Sequence, residues 1–98
     1  MDYLSTDPNT GVRGEEFPLI ENDQLEKVLE QASIAFSSWR GSDLEQRRTL
    51  LKSVGSTLRS EAGRLASIIV AEMGKRIQEA FFEVQLCAQI CDYYADNL

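Results

Sequence analysis

The sequence predicts a mainly α-helical chain: a short extended arm or hairpin, then four helices. Three observations carry this. Apolar residues show no helical period before about residue 21 and a period of 3.6 from Asp23 onward. Turn and stop residues stand between the periodic stretches, at residues 7–11, Gly41 and Gly74. No internal repeat, low-complexity tract or long linker interrupts the pattern.

Residues 1–20 form the extended arm. Tyr3 to Thr6 leads into Asp7-Pro8-Asn9-Thr10-Gly11, where Pro fixes φ and Asn and Gly tolerate positive φ. Val12 to Phe17 can return as a second strand, weakened by Gly14 and ended by Pro18. A lone hairpin is marginal in water, so this one should lie on another element.

Residues 21–98 form the helical segment. The first helix is expected over 23–39, with Asn22 or Asp23 as cap and a stripe of Leu25, Val28, Leu29, Ala32, Ala35, Phe36 and Trp39. Gly41 closes it. Ser42 and Glu45 have capping-box spacing and open a second helix over 43–59. Leu44, Leu51, Val54 and Leu58 form its stripe, and Gly55 inside it allows close packing. The third helix is expected over 61–73, starting near Ser60. Its stripe is Ala62, Leu65, Ala66, Ile68, Ile69 and Met73. Gly74 stops it, with Lys75 and Arg76 complementing its dipole. The fourth runs over 76–96. Short connections at Gly41 and Gly74 favour packed neighbours.

Composition narrows the function. Ninety-eight residues make at most one small domain with a thin core. A net charge of -6 argues against a nucleic-acid surface and a polybasic membrane anchor. No apolar run is long enough to span a bilayer, and MDYLSTDPNTG is no secretory signal. Two cysteines cannot form a disulfide scaffold, so a reducing cytosol is expected.

Candidate chemistry is sparse. There is no histidine, hence no Ser-His or Cys-His pair and no four-ligand zinc set. Gly74-Lys75 lacks the glycine of a phosphate-binding loop, because Ile69 stands there. Cys87 and Cys91 are a potential nucleophile or redox pair, but apolar neighbours point to buried packing. Glu79 and Glu83 are one turn apart and are expected on a solvated face. Trp39 is expected in the core. No residue is assigned a catalytic, cofactor-binding or metal role.

The order of segments resembles the N-terminal region of the NAD(P)-dependent aldehyde dehydrogenase superfamily. Asp7-Pro8-Asn9-Thr10-Gly11 is similar to its Asn-Pro-x-Thr-Gly turn. Ala35-Phe36-Ser37-Ser38-Trp39 is similar to its Ala-Phe-x-x-Trp segment, and Leu44, Arg47 and Leu51 to its second helix. Glu72-Met73-Gly74-Lys75 resembles its Glu-x-Gly-Lys, with Arg76 where proline usually opens the next helix. Glu83 to Ala88 with Tyr93-Tyr94-Ala95 is most similar to the succinate-semialdehyde dehydrogenase branch.

The resemblance spans the chain and implies a partial piece of that α/β fold. It implies a complete enzyme that oxidises an aldehyde to an acid with NAD or NADP. The catalytic cysteine, glutamate base, asparagine and cofactor lysine of that enzyme would lie beyond residue 98, so this chain alone is expected to be inactive and without cofactor. The missing C-terminal part would then be its natural partner. Leu86 and Ile90 are expected near the substrate entrance of the complete enzyme. A self-standing helical interaction module is the alternative reading. A small catalyst built on the cysteine pair is a third.

The fourth helix carries two stripes. One is Ile77, Ala80, Phe81, Val84, Cys87, Ala88, Cys91 and Ala95. The other is Phe82, Leu86, Ile90 and Tyr93. A helix this apolar needs cover on more than one side. Either the other helices surround it, or a homo-oligomer forms with Phe82, Leu86 and Ile90 at the contact.

Overall fold

In the computed structural model, which describes residues 2–98, the elements are β1 (Tyr3–Thr6), β2 (Arg13–Phe17), α1 (Asn22–Trp39), α2 (Leu44–Ser60), α3 (Ala62–Met73) and α4 (Ile77–Asp96). The helix boundaries all fall within one residue of those the periodicity predicts. None of these helices is long and apolar enough to cross a membrane.

β1 and β2 pair antiparallel, with Tyr3 opposite Phe17 and Thr6 opposite Arg13, and a bulge between Leu4 and Thr6. The Asp7 carboxylate accepts from the Asn9 N–H at 2.8 Å, and the Asp7 carbonyl accepts from Gly11 N–H at 2.8 Å. This local bonding is what makes Asp and Asn turn formers. The hairpin does lie on another element. Pro8 sits against Gly74, so closely that a Cβ there would stand 2.9 Å from Pro8 Cγ. Gly74 ends α3 in the left-handed region, φ 70°, where a side chain would be strained in any case.

Two caps differ from expectation. Neither Asn22 nor Asp23 caps α1. Glu21 does, its N–H donating to the Gln24 side chain at 3.3 Å. α2 starts one residue later than the Ser42 box would have it. Asp43 is the cap and accepts from Gln46 N–H at 2.7 Å, because a carboxylate attracts the N-terminal dipole more strongly than a hydroxyl. Ser42 instead donates to the Trp39 carbonyl and accepts from Arg47 Nε. Arg76 is likewise the residue before α4 and not its first helical position.

α4 is the centre of packing, laid against α2 and α3. The apolar side chains buried among the described residues are Ala66, Ala80, Val84, Ala88 and Ala95, none larger than valine. Small residues let backbones approach. Gly55 is buried where α2 crosses α4, and a Cβ on it would stand 3.3 Å from the Ala88 carbonyl and 3.2 Å from Asp92 Oδ1. Charged groups brace the same crossing. Arg48 Nε donates to the Ala95 carbonyl at 2.7 Å, Lys52 meets Asp96 at 2.8 Å, and Arg59 meets Asp92.

The expectation of packed neighbours holds at Gly74, where α3 lies on α4, and fails at Gly41. α1 buries no residue and forms no packed interface with another helix. Trp39 is therefore not a core residue. It is 42% exposed, with the Arg47 guanidinium 5.7 Å from its ring centre. The result is a plate of 47 × 40 × 16 Å with a radius of gyration of 17.6 Å. A compact chain of this length would have about 13 Å.

Candidate functional site

The plate leaves apolar faces open on α1 and α4, and that of α4 lies on the helix at the centre of packing. Successive residues of a helix advance by 100°, so Ala80, Val84, Ala88 and Ala95 share one side of α4. That side is buried on α2 and α3. Phe82, Leu86, Ile90 and Tyr93 fall on the opposite side, exposed by 65, 43, 46 and 61%. The surrounding helices do not cover both stripes. α1 buries no residue and does not close over the second.

At the N-terminal half of this face, Lys75, Gln78, Glu79, Phe82, Glu83 and Leu86 line an open groove. Lys75 Nζ bonds Glu83 Oε2 at 2.5 Å, and Arg76 bonds Glu79 at 2.9 Å. The hydrogen bond that Lys75 donates to Glu83, and then the Glu83 charge, hold the Lys75 pKa above the ordinary lysine range. The basic pair that follows α3 thus also meets carboxylates of α4. Glu79 and Glu83 lie on a solvated face, as expected, each occupied by a cation. Neither is placed as a free general base.

The first stripe is only partly interior. Ile77, Phe81 and Cys87 are exposed and Cys91 is half-buried. The stripe is wider than two helices can cover. Cys87 therefore departs from the buried position expected of it. It stands at an apolar crevice formed by Leu58, Leu65, Ile68, Ile69 and Val84, with Glu83 alongside. No basic group of the crevice lining stands ready to stabilise a thiolate. Among the described residues no three of His, Cys, Asp and Glu converge as metal ligands.

The arrangement offers apolar contact with a polar rim, a surface suited to docking. The residues that sequence reasoning missed are the braces, Arg48, Lys52, Arg59 and Asp92. Their partners lie 33 or more positions away, beyond any helical spacing.

Residues 2–98 match the model of the aldehyde dehydrogenase family. The chain is 34% identical over 94 residues to the succinate semialdehyde dehydrogenase (NAD(P)+) Sad of Escherichia coli, covering 96% of this chain and 20% of that protein. It is 30% identical over 95 residues to the NADP(+) succinate-semialdehyde dehydrogenase of Deinococcus radiodurans, covering 97% and 20%. The crystal structure of succinic semialdehyde dehydrogenase from Streptococcus pyogenes, in complex with NADP+, superposes with a TM-score of 0.87 at 39% identity, covering 96% and 21%. The chain spans about a fifth of the length of these relatives.

Proposed function

The chain belongs to the aldehyde dehydrogenase family, and from that premise we propose that it is the N-terminal segment of a succinate-semialdehyde dehydrogenase. The complete enzyme would oxidise the aldehyde to the acid with NAD or NADP. The segment supplies part of the scaffold and does not catalyse by itself. One observation carries this reading. A chain spanning a fifth of its relatives leaves the apolar faces of both α1 and α4 open, with Leu29 and Phe36 exposed by 55 and 63% as well as Phe82 by 65%. Covering each large side chain is worth about 1.5–3 kcal/mol, so such faces call for further protein.

In the complete enzyme Leu86 and Ile90 would flank the approach to the aldehyde. Their exposure on the side of α4 away from its buried stripe supports this. A reducing, cytosolic setting suits the two free thiols, Cys87 and Cys91.

The test is a coupled measurement. The purified chain should show no reduction of NAD or NADP with succinate semialdehyde, and the coding frame should continue beyond codon 98 into cofactor and cysteine motifs. Saturable turnover by the isolated chain, free of host enzyme, would overturn the scaffold reading.

A further inference from the structure

We propose that Cys87 and Cys91 form a two-thiol site for a trivalent arsenical carrying an aromatic group. The arsenic bridges the two sulfurs, and the ring sits in the apolar crevice beside Cys87. The proposal does not depend on the enzyme reading.

Both thiols lie along the seam between α2 and α4. Cys91 is half-buried at Gly55, where an added Cβ would stand 3.5 Å from Cys91 Cβ. One turn earlier on α4, Cys87 is exposed and lines the crevice with Leu58, which follows Gly55 by one turn of α2. Both cysteines are free. Residues four apart on a helix share a face, with Cβ atoms about 5–6 Å apart. A disulfide needs about 3.5–4.5 Å, so a direct S–S bond would distort α4. A single atom bridging the sulfurs closes the gap and leaves the helix intact.

The surroundings select that atom. Among the described residues no third His, Cys, Asp or Glu joins the pair, so a four-ligand zinc site is not formed. Thiols favour soft acceptors. Trivalent arsenic is soft and pyramidal: it takes two sulfurs on one side and brings its own third substituent. The crevice beside Cys87 has a volume of about 240 Å³ and is lined by Leu58, Leu65, Ile68, Ile69 and Val84, with Glu83 alongside. Apolar cavities of about 150 Å³ take up benzene, so there is room for one ring.

The chemistry balances without a redox partner. An arsenoxide, Ar–As=O, meets two S–H groups. Two As–S bonds form, and the arsenic-bound oxygen leaves as water with both thiol protons. Arsenic stays trivalent and neither sulfur is oxidised. The oxide oxygen takes the protons, so the step needs no basic neighbour, and the crevice lining holds none.

The test adds phenylarsine oxide to the full chain, whose only cysteines are these two. Intact mass should show one arsenical per chain, less one water, with no titratable thiol left. Two thiols held in place retain a ligand about a hundredfold better than one. Excess glutathione should therefore leave the adduct in place, and a 1,2-dithiol should remove it. Cys87→Ser and Cys91→Ser should each weaken retention by that factor with the helical spectrum unchanged. Leu86→Cys combined with Cys87→Ser keeps two thiols but moves one off the seam, and should weaken it equally. In the adduct, ring protons should show nuclear Overhauser contacts with the Leu58 and Leu65 methyls. Two arsenicals per chain, a free thiol in the adduct, undiminished retention by a serine variant or by the moved pair, or a ring lacking those contacts overturns the proposal. If a serine variant loses its helices, the stoichiometry and ring contacts of the parent chain still decide.

Discussion

Replacing a helical glycine with alanine ordinarily stabilises a helix by about 0.8–1.0 kcal/mol, by restricting the unfolded backbone. Two glycines here should respond with opposite signs. At Gly63, in α3, an added Cβ meets nothing within 4 Å. Gly63→Ala should gain most of that amount. At Gly55 the new methyl would lie 3.2 Å from Asp92 Oδ1, 3.3 Å from the Ala88 carbonyl and 3.5 Å from Cys91 Cβ. The carbonyl belongs to the backbone of α4 and cannot swing away, and Asp92 is tied to Arg59. Relieving such contact separates the helices slightly, at the overpacking cost of about 1–3 kcal/mol. Subtracting the helical gain leaves Gly55→Ala destabilised by about 1 kcal/mol, and Gly55→Val by more. Urea titration followed by far-UV circular dichroism measures both, provided the m-value is unchanged. If Gly55→Ala is as stabilising as Gly63→Ala, α2 and α4 do not cross as closely as described.

Arg76 precedes α4 with φ −66°, the value proline enforces. Arg76→Pro should raise stability by about 0.4–1 kcal/mol, through the unfolded state, at the loss of an exposed pair with Glu79; a lowered thermal midpoint would refute this. The Lys75 pKa is raised, so its stabilising contribution is complete below the ordinary lysine pKa and lost as pH rises through the elevated one. Glu83→Gln should bring the Lys75 titration down toward the ordinary range in an NMR pH series, and an unmoved midpoint would show that Glu83 is not the cause.

Local chemistry made the elements legible in the sequence. Asp7-Pro8-Asn9-Thr10-Gly11 has one sensible conformation, and the helix boundaries follow from period, caps and glycine stops. The family was legible for a related reason: its markers are themselves turns, caps and helix ends. Caps were misplaced by a residue where several acceptors stood side by side, as at Ser42 and Asp43.

What the sequence by itself determined is therefore the set of helices and the apolar residues on each. Which of those residues are covered was decided only by tertiary structure. A stripe states that a face needs a neighbour, not that one is present. Trp39, Phe36 and Cys87 satisfy every local rule for interior positions, yet they are exposed, because α1 stands apart and α4 is covered on one side. The converse holds at Gly55, whose burial depends on Ala88, a residue more than thirty positions away. The physical reason is the same in both cases. Burial depends on the relative placement of elements, and here that placement rests on small residues and on charge pairs such as Arg59–Asp92, which no local periodicity encodes.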